Sequence, residues 1–323
     1  MRVAVTGGSG FIGTNMVDHF LSWRVDVRSF DHKPPRKEAH RPLWREVDIC
    51  DRARLDEVLR EFSPTHIVHL AAKTGMDLSD ISFFAANMDG VQNLIDVART
   101  LPKLQRVLFT STLLVCRNGY VPSDDTDYGP PNLYGESKMR GEQIVRAAGP
   151  LPFGWTIVRP TAIWGPWFEA PYKLFFKMVE RGLYFHPGRK PVFKAQSFVA
   201  NTCYMFERLL VAAPDEVERR VFYLCDYPKR SVTEWATAIQ RCMGVRRILT
   251  VPRPLLRAVA RVGDAAMRLG WSDPPLSTRR YNNMLVEAPY PVERTERVVG
   301  PLPYTLENGV AETVRWLRDS NFR

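Results

Sequence analysis

Short apolar runs alternate with segments of helical spacing through the first half of the chain. The apolar runs predict strands at residues 2–6, 25–31, 66–71, 106–111 and 155–159. Helical spacing predicts helices at residues 10–22, 52–61, 84–100 and 134–148. Nearly continuous apolar strands are typical of a parallel sheet covered on both faces. The alternation indicates βαβ units, and we predict an α/β fold built on a Rossmann-type, doubly wound parallel sheet.

The amino-acid composition changes after Gly165 and Pro166. Prolines and basic residues are frequent in 167–194, a helix is predicted at 197–213, and a strand at 221–225 is expected to rejoin the sheet. The remainder mixes short helices with proline-rich connections. We therefore predict a first domain at 1–166, to which 195–225 returns. A smaller, mostly helical substrate-binding lobe is expected from 167–194 and 226–323.

Charge and cysteine content narrow the range of partners. The net charge is +10 and the isoelectric point is near 9.5, which favours phosphorylated substrates or acidic membrane surfaces. No nucleic-acid recognition motif accompanies the charge, so no nucleic acid is expected. The five cysteines are odd in number and include no CxxC pair, which indicates reduced thiols and no metal site. We expect a cytoplasmic protein.

The segment TGGSGFIG joins the first predicted strand to the first helix. In such loops one glycine permits a tight turn, the next lets the backbone approach a pyrophosphate, and the third allows close helix packing. Gly7, Gly10 and Gly13 take these places, and Phe11 and Ile12 open the helix whose N-terminus faces the phosphates. The loop predicts a dinucleotide site and makes 1–166 a dinucleotide-binding Rossmann domain.

Asp31 ends the second predicted strand, eighteen positions after Gly13. A carboxylate there accepts hydrogen bonds from the adenosine ribose and repels a 2′-phosphate, which favours NAD. Arg28, Lys33 and Arg36 lie nearby and could instead accommodate NADP. We predict NAD, with NADP as the alternative.

Tyr134 and Lys138 are four residues apart on a predicted helix, so they share one face. A tyrosine with a pKa near 10 is a poor base at neutral pH, and an adjacent ammonium stabilises its phenolate. The pair therefore predicts acid–base catalysis at a hydroxyl or carbonyl group.

These motifs together resemble the extended short-chain dehydrogenase/reductase family of sugar epimerases, dehydratases and reductases. The resemblance implies that Thr112, with Ser111 as the alternative, is the third catalytic residue beside Tyr134 and Lys138. It also implies further cofactor contacts from four segments: Asp48-Ile49, HLAA at 69–72, ANMDGVQNL at 86–94 and VRPTAIWGP at 158–166. The residues concerned are Asp48, Ile49, Leu70, Ala71, Ala72, Asn87 and Pro160.

Three departures from the family pattern bear on the reaction. Dehydratases carry an Asp-Glu pair directly after the catalytic hydroxyl, where this chain has Leu113 and Leu114. Neither leucine can transfer a proton, so dehydration is disfavoured. Cys116 replaces a usual tyrosine, and Ala162 replaces an asparagine that commonly meets substrate phosphates, which argues against a standard nucleotide-sugar pose.

The segments RPTAIWG, KAQSFVAN and VPRPLL resemble a subgroup of cell-envelope polysaccharide synthesis, which includes 4-epimerases of N-acetylglucosamine linked through diphosphate to undecaprenol. We expect a sugar substrate carrying a diphosphate, and a homodimer. The residues expected to contact the substrate are Lys73, Thr112, Thr161, Arg189, Lys194 and Arg279.

Residues 254–270 have an apolar stripe and a polar face. The stripe consists of Leu255, Val259, Val262, Ala266 and Leu269, and the polar face of Arg257, Arg261, Asp264 and Arg268. Such a helix can lie on an anionic membrane surface, here the cytoplasmic face of the inner membrane. The alternative is a helix that packs on its own domain or on a dimer partner.

The resemblance implies a 4-epimerase or a closely related NAD-dependent oxidoreductase acting through a 4-keto sugar. The alternatives are a reductase of a 4-keto sugar, a steroid-type hydroxyl dehydrogenase, and a redox-sensing binding protein. The intact Tyr134–Lys138 pair argues against the last of these.

Overall fold

A computed structural model describes residues 1–75, 78–169, 171–272, 274, 276–287 and 290–320. The strands of the main sheet are β1 (Arg2–Thr6), β2 (Asp26–Asp31), β3 (Trp44–Glu46), β4 (His66–His69), β5 (Arg106–Thr110), β6 (Gly154–Pro160) and β10 (Val221–Leu224). Two small sheets contain β7 (Ala162–Trp164) with β9 (Gln196–Phe198), and β8 (Phe185–Pro187) with β11 (Leu249–Val251).

The described residues also form α-helices, numbered in chain order. They are α1 (Phe11–Ser22), α2 (Arg52–Phe62), α3 (Ala85–Ala98), α4 (Leu133–Ala147), α5 (Tyr172–Glu180), α6 (Val199–Val211), α7 (Pro214–Val217), α8 (Val232–Met243), α9 (Arg253–Arg268), α10 (Thr278–Leu285), α11 (Glu293–Val299) and α12 (Leu306–Asp319). Short 3₁₀ helices lie at Glu38–Leu43, Ile81–Phe84 and Leu113–Val115.

The strands of the main sheet run in the order β10-β6-β5-β4-β1-β2-β3, and every neighbouring pair is parallel. This confirms the predicted doubly wound parallel sheet. From β1 the chain crosses to β2 on one side, whereas β4, β5 and β6 follow on the other. The reversal lies between β1 and β4, and ligands of such folds bind outside the carboxyl ends of the strands at that point.

The central strands are buried on both faces, as their apolar runs predict. Val5, Ile67, Val107 and Leu108 are fully buried. Helices α1 and α6 contact each other, while α3 contacts both α2 and α4. Because parallel crossovers are right-handed, these two groups cover opposite faces of the sheet.

The chain divides into two units. The first contains residues 1–167, 196–227 and 290–304, and the second contains 168–195, 228–289 and 305–323. Residues 290–304 were expected in the C-terminal lobe but group with the first unit. Arg294 Nη1 and Thr295 Oγ1 donate hydrogen bonds to the carbonyls of Val221 and Tyr223, at 3.0 and 2.8 Å, and these bonds hold the segment to β10.

The second unit is mainly helical. Helix α8 packs against α5 and α12, and α9 packs against α10. Leu256, Ala260 and Tyr281 form a small core between α9 and α10.

The sequence places the start of the α6 helix incorrectly. Residues 196–198 form strand β9, which pairs with β7 in the register Ile163↔Ser197, and the helix begins only at Val199. Ser197 Oγ and the Phe198 amide both donate to Asp226, at 2.8 and 3.0 Å. These tertiary contacts extend the backbone where local spacing predicts helix.

Candidate active site

The glycine-rich loop makes a tight turn between β1 and α1. Gly7 has a φ of +73°, a conformation that favours glycine. A Cβ on Gly7 would lie 2.6 Å from the Ala71 nitrogen, and one on Gly13 would lie 2.1 Å from the Gly7 carbonyl oxygen. Both positions therefore require glycine for reasons internal to the fold.

Gly10 differs from these two glycines. Among the described residues, a Cβ there would meet only the Gly7 carbonyl, at 3.2 Å, and the rest of its surroundings is open to them. Gly10 is the N-cap residue of α1 and, within the described part of the chain, no side chain caps that helix end. Phe11, Ile12 and Gly13 form the first turn. A helix N-terminus approached through an open glycine is suited to a pyrophosphate, so these residues fit the dinucleotide.

Asp31 lies at the carboxyl end of β2 and is nearly buried. Its Oδ2 accepts from the Ser9 amide and its Oδ1 from the Lys33 amide, both at 3.0 Å, which fixes the carboxylate beside the glycine loop. Arg36, the alternative ligand for a 2′-phosphate, donates from Nε to the Ser9 carbonyl and from Nη1 to the Trp167 carbonyl. Arg28 instead lies over the Phe62 ring. The arrangement favours NAD over NADP.

The other residues expected at the cofactor line the same edge. Asp48 Oδ1 accepts from the Cys50 amide at 2.8 Å, and Ile49 is buried against α3, where a Cβ on Gly90 would lie 2.6 Å from its Cγ2. Leu70 and Ala71 donate to the Thr6 carbonyl and hydroxyl, at 3.0 and 3.3 Å. Ala72 follows them, and Pro160 ends β6.

Asn87 connects the segment after β4 to α4. Its Oδ1 accepts from the Lys73 amide at 2.8 Å, and its Nδ2 donates to the Lys73 carbonyl and to Ser137 Oγ. Ser137 Oγ donates in turn to the Tyr134 carbonyl at 2.7 Å. Asn87 thus sets the position of the helical turn that carries Tyr134.

Tyr134 and Lys138 lie in the first turns of α4. The helix begins where Asn132 Oδ1 accepts from the Gly135 amide at 2.9 Å. Burial raises the pKa of Tyr134, and a hydrogen bond with Thr112 opposes the rise. Burial lowers the pKa of Lys138 to about 8, against the attraction of Glu142. A tyrosine with a raised pKa needs a cation beside it to act as a base, and Lys138, one turn along the same helix, is the candidate.

Thr112 and Ser111 follow β5 but face different neighbours. Thr112 shares a hydrogen bond with Tyr134, and it also caps the short helix Leu113–Val115. Ser111 Oγ has no hydrogen-bond partner among the described residues and borders a small cavity of about 10 Å³. This geometry supports Thr112 rather than Ser111 as the hydroxyl that meets a reacting oxygen.

Sequence reasoning missed a buried ion pair, one member of which lies one turn from Lys138 on α4. Glu142 lies one turn further along α4, and Arg159 lies on β6; together they form an ion pair with an Nη2–Oε2 distance of 2.7 Å. The spacing of Lys138 and Glu142 was a visible signal. The pairing with Arg159, seventeen residues away, appears only in the fold.

The residues expected at the substrate fall in both units. Lys73 is exposed in the first unit, and Thr161 Oγ1 donates to the Leu224 carbonyl at 2.9 Å, a bond that holds β6 to β10. Arg189, Lys194 and Arg279 lie in the second unit. Lys194 Nζ donates to the Asn283 carbonyl of α10, the helix that also carries Arg279.

Helix α9 packs through a face other than its apolar stripe. Leu256, Ala260 and Gly263 are its buried residues. The stripe stays accessible: Val262 is 69% exposed and Leu269 is 90% exposed. The arginines at 257, 261 and 268 are exposed as well.

A dinucleotide loop at the switch point of a parallel sheet, with a Tyr–Lys pair and a hydroxyl at the same edge, defines an oxidoreductase of the short-chain dehydrogenase type. The chain belongs to the NAD dependent epimerase/dehydratase family, whose model matches residues 3–192. This confirms the predicted family, the enzyme class and NAD as the cofactor.

Similar proteins cover nearly the whole chain. The N-acetyl-alpha-D-glucosaminyl-diphospho-ditrans,octacis-undecaprenol 4-epimerase of Escherichia coli O157:H7 is 23% identical over 98% of this chain and 95% of its own. A 3 beta-hydroxysteroid dehydrogenase/Delta 5-->4-isomerase of Mycobacterium tuberculosis is 26% identical over 96% of this chain and 89% of its own. The structure of the Thermus thermophilus UDP-glucose 4-epimerase in complex with NAD aligns with a TM-score of 0.70 at 21% identity, covering 98% of this chain and 99% of that one.

Proposed function

We propose that this protein is an NAD-dependent 4-epimerase of a diphosphate-linked sugar, with reduction of a 4-keto sugar as the related alternative. Among the described residues of the site, one acid–base group lies at the end where the reaction would occur. This observation carries the proposal. Tyr134 is hydrogen-bonded to Thr112, and the next residues, Leu113 and Leu114, cannot move protons. One tyrosine suffices for oxidation and reduction at one carbon, whereas elimination of water needs further acid–base groups.

Thr112, Tyr134 and Lys138 each have one role in the proposed reaction. Thr112 hydrogen-bonds the sugar oxygen and holds it beside Tyr134. Tyr134, as the phenolate, takes the hydroxyl proton as the carbonyl forms and gives it back when the hydroxyl is restored, and the Lys138 ammonium stabilises the phenolate before the first step and after the last. Bound NAD, held by the glycine loop and Asp31, supplies the exchange of a hydrogen and its electron pair at the same carbon. Rotation of the keto sugar between the two exchanges inverts the carbon.

Sugar interconversion without added cofactor tests this proposal. The purified protein is incubated with UDP-glucose, UDP-N-acetylglucosamine or N-acetylglucosaminyl diphosphoundecaprenol, and the products are separated by chromatography. We expect the 4-epimer of one of them to accumulate to equilibrium with no net consumption of NADH. In a parallel incubation with a 4-keto sugar and NADH, consumption of one NADH per sugar, with no epimerisation in the first assay, would instead identify a reductase.

Steroid oxidation is the second candidate, favoured by the mycobacterial dehydrogenase that matches 96% of this chain. It uses the same three residues. Formation of NADH from NAD with a 3β-hydroxysteroid, and no sugar epimerisation, would replace the first proposal by this one.

We also propose that the protein works at the cytoplasmic face of the membrane as a peripheral homodimer. None of the helices in the described residues is long and apolar enough to cross a membrane. Peripheral binding is supported by the accessible stripe of α9 beside exposed arginines, and by the net charge of +10. A polyprenyl-linked substrate lies in the membrane, and the relative from Escherichia coli O157:H7 is named for one.

Co-sedimentation with neutral and anionic vesicles tests the membrane contact. Binding should need anionic lipid and should weaken as salt shortens the Debye length from about 10 Å at 0.1 M to about 3 Å at 1 M. Each arginine near the surface contributes on the order of 1 kcal/mol. The test variant replaces Arg257, Arg261 and Arg268 by glutamine, and the control replaces Arg52, Arg54 and Arg60 of α2, of which Arg52 and Arg60 are exposed and Arg54 is half-buried.

The test variant should lose binding and the control should keep it, although both carry the same charge change. Protein that stays in the supernatant throughout would remove the membrane contact. Light scattering then shows whether the α9 stripe is instead covered in a dimer, because Leu269→Asp would dissociate a dimer formed there.

A further inference from the structure

The buried ion pair between Glu142 and Arg159 is not explained by fold stability. The side chains of Glu142 and Arg159 are 2% and 0% exposed. Arg159 binds the carboxylate with two bonds, from Nε to Oε1 at 2.9 Å and from Nη2 to Oε2 at 2.7 Å. Removing two charges from water costs several kcal/mol per ion, and well-packed apolar residues often stabilise a fold as well or better. The pair therefore calls for a second role.

The carboxylate of Glu142 is held in one orientation. Tyr128 Oη donates to its Oε2 at 3.0 Å, in addition to the two bonds from Arg159. Arg159 is fixed in turn, because Nη1 donates to Tyr223 Oη at 2.7 Å and Nη2 to the Asp125 carbonyl at 2.8 Å. Glu142 thus presents a fixed negative charge inside the first unit.

That charge lies beside Lys138. The two residues are one turn apart on α4, and both line the cavity of about 10 Å³ that also borders His69. Among the described residues that line the cavity, Glu142 is the one carboxylate. The other titratable group among these described lining residues is His69, from β4, and Tyr134 precedes Lys138 by one turn of α4.

Burial and charge act on Lys138 in opposite directions. Burial lowers its pKa to about 8, and Glu142 raises it. His69 adds no second positive charge, because burial and Lys138 lower its own pKa to about 3 and keep the ring neutral. Without Glu142, the ammonium would stand in a low-dielectric site with no anion among the cavity-lining residues.

We propose that Glu142, oriented by Arg159, is a positioning residue that keeps Lys138 in its ammonium form and thereby supports Tyr134 as a base. The consequence for turnover rests on the proposed function, whereas the effect on Lys138 does not. Arg159 acts one step further away: it fixes the orientation of the carboxylate.

NMR of protein labelled with [ε-¹⁵N]lysine measures this effect directly, and loss of a signal in Lys138→Met assigns the resonance. In the wild type the Lys138 signal should titrate near pH 8. In Glu142→Gln the midpoint should fall by about one unit or more, a tenfold change in the ratio of charged to neutral lysine. Glu142→Asp keeps the charge and should restore most of the difference.

The pH profile of kcat adds a second measurement on the same variants. Its alkaline limb, which reports loss of the Lys138 proton, should move to lower pH in Glu142→Gln and return in Glu142→Asp. A loss of activity caused only by misfolding would lower kcat at every pH and leave the limb in place.

Glu142→Gln leaves Arg159 buried without its partner, so circular dichroism must first show that the variant is folded. The double variant Glu142→Met/Arg159→Met removes both charges and should shift Lys138 in the same direction. A Lys138 midpoint equal to that of the wild type, in either folded variant, would overturn the proposal. Because the titration needs no substrate, this outcome is distinct from failure of the proposed epimerase activity.

Discussion

Asp226 should make the stability of the protein depend on pH. The carboxylate follows β10, where Oδ1 accepts from Ser197 Oγ at 2.8 Å and from Asn201 Nδ2 at 3.2 Å, and Oδ2 accepts from the Phe198 amide at 3.0 Å. Burial outweighs these bonds and raises its pKa from 3.8 to about 6. The substitution Asp226→Asn tests this, because the asparagine side chain has the shape of the aspartate side chain and stays neutral at every pH.

The size of the effect follows from the two pKa values. A group whose pKa is higher in the folded state stabilises the fold below its unfolded pKa, and that stability is lost as the pH rises through the folded value. At about 1.4 kcal/mol per unit, a rise from 3.8 to about 6 corresponds to about 3 kcal/mol. In the wild type most of this stabilisation should disappear between pH 4 and pH 7. Asp226→Asn should show no such change over the same range.

Urea unfolding of both proteins at several pH values measures the difference. Asp226→Asn will differ from the wild type by a constant amount, because the amide cannot accept all three hydrogen bonds. On top of that constant, the wild type should lose about 3 kcal/mol relative to the variant as the pH rises. Other titrating groups cancel in the comparison. A difference that stays flat from pH 4 to pH 7 would refute the reasoning.

Three further predictions concern the site. Tyr134→Phe should lower turnover by about a hundredfold or more, the scale of lost acid–base catalysis, with dinucleotide affinity nearly unchanged; activity close to that of the wild type would remove Tyr134 from the mechanism. Calorimetry should give NAD at least about tenfold tighter binding than NADP, or about 1.4 kcal/mol, and equal affinities would mean that Arg36 leaves its carbonyl partners to bind the extra phosphate. Thr112→Val should lower kcat strongly while Ser111→Ala has a small effect, as measured by steady-state kinetics, and the reverse order would exchange their roles.

The main strands and helices could be predicted because each carries its own marker. Strand β1 has the predicted bounds since its apolar run stops at the glycine loop. Strands β3, β7 and β9 were not found, because three residues are too few to show a period of two. Their partners, such as β9 for β7, lie far along the chain and leave no local trace.

Some parts of the candidate site could likewise be predicted from the sequence, and others could not. The glycine loop, Asp31, Tyr134 and Lys138 lie on short stretches whose spacing carries the chemistry, so the sequence was enough to propose them. The surroundings of Lys138 depend on β4, β5 and β6 meeting in one sheet, and no spacing predicts which side chains then face each other. Likewise, the sequence of α9 shows a stripe but not that the helix packs through Leu256 instead.

The second unit is assembled from three separate pieces of chain, each of which leaves the first unit or follows its last segment. If the second unit handles the substrate, as we propose, evolution can alter it by lengthening or rewriting these pieces, while the segment that carries the dinucleotide loop and Tyr134 continues unbroken. Exchange of specificity between relatives would require grafting 168–195, 228–289 and 305–323 together. A single crossover, as in ordinary domain shuffling, would combine parts of the second unit from two different parents. The product would then have the substrate preference of neither parent.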